Sequence, residues 1–251
     1  VKEQIAIQKE SLRDKKPAGK YIAYFQAYTN TYAPVDYLER IFTEAIEDPE
    51  VVILSIATRP DCLPEDVLDL LARLNQQKPV WVELGLQTMH EESAQIIHRG
   101  YDLACFERAV SGLRNREMDV IVHTILGLPG EGRKEVLQTI DYLNHMDIQG
   151  IKLQLLHILK GTQLGQTYLR QKEGQEFISP MTMEAYIDLV IDCVEHLSPE
   201  ITIHRLTGDG PKELLLAPMW STRKRTVLNE IHKELKNRDA WQGKRYERST
   251  L

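Results

Sequence analysis

Five short segments carry residue types that bind small polar molecules. They combine guanidinium, imidazole, carboxylate and amide groups with glycines, and each follows or ends an apolar run of the chain. The segments are 26–31, 58–61, 83–88, 125–131 and 157–162. Glycine lets a ligand approach the backbone closely, and a guanidinium group pairs well with a carboxylate. The set therefore indicates a site for a polar ligand or cofactor.

Apolar runs typical of strands alternate with amphipathic runs typical of helices. The strand-like runs begin 30, 29, 39, 31 and 51 residues apart, which is about the length that a parallel strand–helix–strand unit needs. The predicted strands are 21–28, 51–57, 80–88, 119–128, 150–159 and 201–206. The predicted helices between them are 34–47, 64–74, 105–116, 134–145 and 183–196. Residues 160–180, with three glycines and a proline, predict a long loop or lid.

Alternation within the strands indicates a barrel. In the third strand Val82, Leu84 and Leu86 face one way, whereas Glu83 and Gln87 face the other. Strands of a doubly wound sheet are apolar on both faces, but here one face carries polar groups late in the strand. An α/β barrel that holds a polar ligand at the carboxyl ends of its strands explains this pattern better.

Together, in this order and spacing, the five segments resemble the radical S-adenosylmethionine (SAM) superfamily. The resemblance covers about residues 20–220 and is strongest to a bacterial branch related to elongator catalytic subunits and anaerobic coproporphyrinogen oxidases. It implies an incomplete TIM-like (β/α)6 barrel. It also implies an enzyme that uses a [4Fe–4S] cluster, held by a Cys-x3-Cys-x2-Cys loop, to cleave SAM to a 5′-deoxyadenosyl radical.

The resemblance also implies roles for individual residues. The segment with Gln26, Tyr28, Thr29 and Asn30 matches the loop whose backbone holds the methionine amino group, although Gln-Ala-Tyr stands here in place of the usual glycines. The residues matched to other parts of SAM are Gln87 and His123 for the ribose, Arg99 for the methionine carboxylate, and Ile125, Gly127 and His157 for the adenine.

Two further residues complete the predicted cofactor site. Arg59 and Glu83 lie near the ends of adjacent strands, and we expect them to form an ion pair beside the cofactor. No catalytic residue and no metal ligand is assigned within the chain.

The three cysteines do not form the cluster loop. Cys62, Cys105 and Cys193 are separated by 43 and 88 residues, so no single loop holds them. We therefore expect the first strand and the cluster loop to lie upstream of Val1, where the chain opens in a charged helix. An odd, scattered set of cysteines also predicts buried thiols and a reducing, cytoplasmic location rather than a disulfide framework.

Charge is distributed unevenly along the chain. The net charge is −6, but residues 221–251 hold nine Lys/Arg against four acids, so they carry +5 and the remainder −11. We predict a partial barrel over 1–218 and a basic helical extension over 219–251. No apolar run is long enough for a membrane helix. The expected partners are an electron donor such as flavodoxin or ferredoxin and an unidentified substrate, with RNA kept as one candidate.

Two other functions fit parts of the pattern. A lyase that forms a Schiff base would use Lys152, although this lysine comes early in its strand. A nucleic-acid-binding adaptor without enzymatic activity would use the basic extension. Taken singly, the segments also have plain structural interpretations: residues 127–130 as a turn, Arg99-Gly100 as the end of a helix, and His123 as a core histidine.

Overall fold

The computed structural model describes residues 1–12, 19–172, 174, 177–208 and 210–247. The helices in these ranges are α1 (Lys2–Leu12), α2 (Val35–Ile46), α3 (Glu65–Asn75), α4 (Glu91–Ile96), α5 (Leu103–Arg114), α6 (Arg133–Asn144), α7 (Gln163–Arg170), α8 (Met183–His196) and α9 (Lys224–Asn237). The strands are β1 (Tyr21–Phe25), β2 (Val51–Thr58), β3 (Val80–Gln87), β4 (Asp119–Leu126), β5 (Gly150–Leu155), β6 (Ile158–Leu159), β7 (Thr202–Arg205) and β8 (Leu215–Ala217). Two 3-10 helices cover Pro60–Cys62 and Met219–Thr222.

Six of these strands form one sheet. Its order is β1-β2-β3-β4-β5-β7, and β1 pairs in parallel with β2, β2 with β3, and β5 with β7. Parallel neighbours joined through helices define an α/β fold, and this strand order is that of an incomplete TIM-like barrel. The predicted fold class is therefore confirmed. The strands β6 and β8 form a separate antiparallel pair.

The chain divides into two compact units. The first comprises 1–85 and 101–122. Its helix α2 buries Leu38, Phe42, Ala45 and Ile46, whose spacing of three and four residues lines one helical face. That face packs on β2 and α3, and the Phe42 ring meets the ring of Phe25 edge to face, 5.0 Å between centroids. This packing holds the carboxyl end of β1, from which the predicted cofactor loop departs.

The second unit comprises 86–100 and 123–251. Helix α8 packs against α6 and α9, and it buries apolar residues on more than one face because it has neighbours on two sides. Strand β7 continues the sheet beside β5, where Lys152 is in register with Arg205. Every helix in the described ranges is too short or too polar to cross a lipid bilayer.

Several element boundaries differ from the prediction. Strand β1 ends at Phe25 rather than at residue 28, and the predicted strand 150–159 is split into β5 and β6. Residues 160–180 are not a continuous loop, because α7 occupies 163–170. The Thr162 side chain starts this helix by accepting a hydrogen bond from the Gly165 amide at 3.0 Å.

Candidate functional site

In the first unit, the loop after β1 is fixed at its base and projects at its tip. The Asn30 amide nitrogen donates to the carbonyl oxygens of Phe25 (3.0 Å) and Ala57 (2.8 Å), which ties the loop to the ends of β1 and β2. The predicted cofactor residues Gln26 and Tyr28 are exposed, and 98% of the Tyr28 surface is accessible. The adjacent Thr29 is half-buried. The loop therefore presents its backbone and side chains outward from a rigid base.

Glu83 is a buried carboxylate in the first unit. Only 4% of the residue is exposed, and its two oxygens accept hydrogen bonds from the Tyr24 and Ser55 hydroxyls, each at 2.8 Å. All three residues lie on neighbouring strands of the sheet, so the strand pairing brings them together. Hydrogen bonds to both oxygens fix the orientation of the carboxylate.

Arg59 does not form the expected ion pair with Glu83. It lies at the surface and binds Asp61 with two hydrogen bonds of 2.9 and 2.6 Å, while its guanidinium lies 5.4 Å from the centroid of the Tyr101 ring. The hydrogen bonds from Arg59 lower the pKa of Asp61, although partial burial opposes them. The prediction failed because a carboxylate two residues away in a tight 3-10 turn reaches the guanidinium first.

In the second unit, Gln87 is the last residue of β3, and Arg99 contacts the backbone beside it. Gln87 is half-buried and has a backbone φ of +67°. Arg99 is only 5% exposed, and its guanidinium donates to the carbonyl oxygens of Leu86 (3.3 Å) and Thr88 (2.8 Å) and to the carboxylate of Glu91 (2.7 Å). The buried Arg99 guanidinium thus hydrogen-bonds the backbone on both sides of Gln87, an arrangement that we call the Arg99 clasp. Its predicted contact with the methionine carboxylate stays a prediction.

His123 and Ile125 lie on one face of β4. Both are half-buried, whereas Thr124 and Leu126 between and beyond them are buried, as the two-residue period of a strand requires. The Gln154 amide of β5 donates to Nδ1 of His123 at 3.1 Å. In that arrangement the neutral ring carries its proton on Nε2, and Gln154 fixes the orientation of the imidazole.

Gly127 follows β4 in a conformation that favours glycine. Its φ is +85°, and a Cβ placed there would lie 3.0 Å from the Met181 sulfur. The backbone after β4 is therefore closely packed, and the segment 127–130 is also the turn that leads toward α6.

His157 is enclosed by the segment that follows β7. A Cβ on Gly208 or on Gly210 would come within 3.1 and 3.2 Å of the ring, so both glycines pack closely against it. The ring Nε2 lies 3.1 Å from the Ser221 Oγ, whose proton goes to the Pro218 carbonyl at 2.8 Å. The contact with Ser221 therefore fixes the orientation of the His157 ring.

Two predicted cofactor residues adopt strained backbone conformations. Five described residues other than glycine have positive φ. Three of them, His98, Glu117 and Asp239, follow helices whose ends are closed by a backbone bond to a left-handed residue. Tyr28 and Gln87 end no helix: Tyr28 follows β1 with φ +63°, and Gln87 ends β3 with φ +67°. Strain of this kind costs about 1–3 kcal/mol and concentrates at functional sites.

The cysteines do not form a metal centre. Cys193 is fully buried, and burial strongly raises the pKa of its thiol. Cys62 and Cys105 are half-buried, and burial is also the main cause that raises their pKa values. Among the described residues, no group of three or more His, Cys, Asp or Glu is placed to hold a metal ion. Because thiolates are the ligands of iron–sulfur clusters, these three thiols do not fit that group.

Sequence reasoning missed several partners of the predicted residues. Gln154 orients His123, Tyr24 and Ser55 hold Glu83, and Ser221 holds His157. Tyr24 and Gln154 are polar residues that alternate with apolar ones in β1 and β5, and this pattern is the signal that could have found them. No local pattern distinguishes Ser55 or Ser221, because their partners lie 28 and 64 residues away.

Comparison with family models gives two matches. The model of the radical SAM superfamily matches residues 1–143, which is more than half of the chain. The model described as the Radical_SAM C-terminal domain matches residues 148–237. Together they cover both units of the fold.

Individual proteins agree with these matches. The chain is 48% identical over 240 residues to the uncharacterized protein YtqA of Bacillus subtilis, covering 96% of this chain and 73% of YtqA. The structure resembles Elp3 of the archaeon Methanocaldococcus infernus with a TM-score of 0.78 at 17% identity, covering 94% of this chain and 58% of that one. It also resembles the Escherichia coli coproporphyrinogen III oxidase HemN, a radical SAM enzyme, with a TM-score of 0.52 at 16% identity, covering 66% and 37%. At these identities the two structures support the fold alone.

Proposed function

The chain belongs to the radical SAM superfamily, and from this premise we propose that it is the SAM-binding part of an enzyme that performs radical chemistry. When bound, a reduced [4Fe–4S] cluster supplies the electron that cleaves SAM to methionine and a 5′-deoxyadenosyl radical. The work of this chain is to hold SAM, orient its ribose and adenine, and exclude water from them.

The strained backbone at Tyr28 and Gln87 carries the proposal. Evolution retains a non-glycine residue in the left-handed region where the surrounding structure or a ligand requires it. Neither residue ends a helix, and each lies in a segment that was matched to a different part of SAM. A purely structural loop would be more stable with glycine at these two positions.

The polar groups of the second unit suit the nucleoside of SAM. We assign His123 a contact with the ribose and His157 a contact with the adenine, because a neighbouring polar side chain holds each imidazole in place. Ile125 adds a half-buried apolar side chain on the same face of β4 as His123, and the backbone of Gly127 follows directly after that strand. We propose these roles together with a ribose contact from Gln87.

The cluster needs ligands that this sequence does not supply. Its three thiols are far apart in the chain and have raised pKa values, so we propose that the cluster ligands lie outside these 251 residues. For a cluster held by such ligands, an electron donor such as flavodoxin or ferredoxin would supply the reducing electron. The substrate stays unassigned, and RNA remains a prediction.

Binding of SAM tests the proposal without any cluster. We expect Gln87→Gly to raise the free energy of unfolding by about 1 kcal/mol, because it relieves the positive φ. The same change is expected to weaken SAM binding about tenfold in equilibrium dialysis, because it removes a hydrogen-bonding side chain. Glu117→Gly is the matched control, since it relieves a similar φ of +57° at the end of α5 and is expected to leave SAM affinity unchanged.

The outcomes separate a cofactor site from a strained turn. Equal SAM affinity of the Gln87→Gly and unaltered proteins would remove Gln87 from the site. Failure of the unaltered chain to bind SAM would refute the proposal that this chain holds the cofactor. For the cluster, the whole reading frame should be expressed without oxygen and reconstituted with iron and sulfide. Absence of a cluster, or of 5′-deoxyadenosine after reduction, would refute the radical chemistry.

A further inference from the structure

A cavity rich in basic residues lies between β7 and α9 in the second unit. Its volume is about 510 Å³, and its lining includes His204, Arg205, Lys224 and His232 but no carboxylate among the described lining residues. The rest of the lining is mostly apolar, with Ile203 among it. None of the predicted cofactor residues borders it, so it is distinct from the proposed SAM site.

Helical spacing explains why α9 lines the cavity with one face. Lys224, Leu228, His232 and Leu235 are separated by four, four and three residues, which places them on the same side of the helix. The two leucines lie between and below the two basic residues. The same face thus combines an apolar floor, formed by the two leucines, with the Lys224 ammonium and the His232 imidazole.

Ion pairs account for other cations of the basic extension. Arg238 binds Asp188 at 2.5 Å, and Lys233 binds Glu230 at 3.0 Å. Glu195, next in sequence to a residue of the cavity wall, is held by Arg245 at 2.9 Å. These carboxylates are therefore already engaged by cations that do not line the cavity.

Arg205 of the cavity differs from this pattern. Within the described ranges it makes no ion pair, although it lies in a partly enclosed space beside Lys224. Like charges repel when they share such a space, and a bound anion offsets that repulsion. Gln242, which lines the cavity, is held in place because its side-chain amide donates to the carbonyl oxygens of Ser198 and Ile201, both at 2.7 Å.

We propose that this cavity binds the phosphate group of a nucleotide, either free or within an RNA strand. The guanidinium of Arg205 and the ammonium of Lys224 are the donors that phosphate oxygens prefer. The apolar floor of Leu228 and Leu235 suits the face of a base or sugar. This inference goes beyond the proposed function and does not depend on SAM cleavage.

The test compares two neighbouring charge changes on α9. Lys224→Gln removes a cation that lines the cavity, whereas Arg225→Gln removes an exposed cation outside the lining. The probes are uridine 5′-monophosphate, uridine and a fluorescein-labelled ten-nucleotide oligouridylate. Binding of the first two is measured by calorimetry and of the third by fluorescence anisotropy, at fixed salt because phosphate binding depends on salt.

We expect Lys224→Gln to weaken binding of a phosphorylated probe about tenfold and Arg225→Gln to change it less than twofold. Binding of uridine monophosphate supports a free nucleotide as the source of the phosphate, and binding of the oligonucleotide alone supports RNA. The proposal is overturned if neither phosphorylated probe binds, if uridine binds as tightly as its monophosphate, or if both variants lose affinity equally. Unchanged thermal unfolding of the variants verifies that they fold.

Discussion

Replacement of Arg99 by alanine should destabilise the fold strongly, because its guanidinium is a buried clasp. The side chain donates to the carbonyl oxygens of Leu86 and Thr88 at 3.3 and 2.8 Å. Hydrogen bonds of a charged donor contribute about 1.5 kcal/mol or more each when buried, so losing both costs about 3 kcal/mol. The pair with Glu91 adds at most about 0.5 kcal/mol, since that carboxylate is 46% exposed. Urea denaturation followed by circular dichroism measures the loss.

Two further variants make the Arg99 measurement decisive. Arg73→Ala removes an exposed pair with Glu39, 3.2 Å apart with both side chains more than half exposed, and should cost less than about 1 kcal/mol. Arg99→Lys keeps the charge but loses the planar fork, so its stability should lie between those of the unaltered and alanine proteins. A loss below about 1 kcal/mol for Arg99→Ala would refute the clasp. Weaker SAM binding by Arg99→Lys at nearly normal stability would instead support the predicted contact with the methionine carboxylate.

Three other predictions concern backbone strain, pH and thiol reactivity. Gly127→Ala should destabilise by about 1–2 kcal/mol more than Gly130→Ala in urea denaturation, because both have a φ near +84° but only Gly127 has a neighbour within 4 Å of the added Cβ; equal losses would contradict the close packing. The hydrogen bond from Lys9 lowers the pKa of Asp48 in the folded state, so the stability it contributes is present above the unfolded value of about 4 and is lost as the pH falls through the lowered value. Asp48→Asn should therefore be less stable than the unaltered protein at pH 6 and equally stable near pH 2, and a difference that persists in acid would be inconsistent with this linkage. Burial raises the pKa of Cys193, so at pH 8 a thiol reagent should modify the other two cysteines and reach Cys193 only after denaturation; reaction of all three in the folded protein would disprove its burial.

Much of the fold was predictable because it follows from short-range periodicity. Six strands and five of the helices appear near their predicted positions, and helix α8 was predicted over 183–196 as observed. Boundaries failed where a local hydrogen bond outweighed the hydrophobic pattern. The Thr162 side chain starts α7 inside the predicted loop, and β1 ends at Phe25, where Asn30 draws the chain toward β2.

The candidate site was predictable in its residue types and only partly in its contacts. Three of the residues predicted to bind SAM have positive φ at strand ends, namely Tyr28 after β1, Gln87 at the end of β3 and Gly127 after β4. The Arg59–Glu83 pair was wrong, because Asp61 competes for the guanidinium from two residues away. Sequence spacing indicates which residues can meet, but it does not rank the competing partners.

The periodicity of the sequence was enough to predict the α/β class, and the cysteine spacing excluded a cluster loop built from the three cysteines. The family was predicted from the resemblance of five segments to radical SAM proteins, which the family models confirm. These properties depend on residue order over a few tens of residues, which the chain carries whether or not it is folded. The tertiary structure decided that Arg99 is a buried clasp, that Gln154 and Ser221 orient two histidines, and that Arg205, on β7, lines a cavity together with residues of α9. Such contacts join residues far apart in the chain, and only packing in three dimensions selects among the partners that each polar group has within reach.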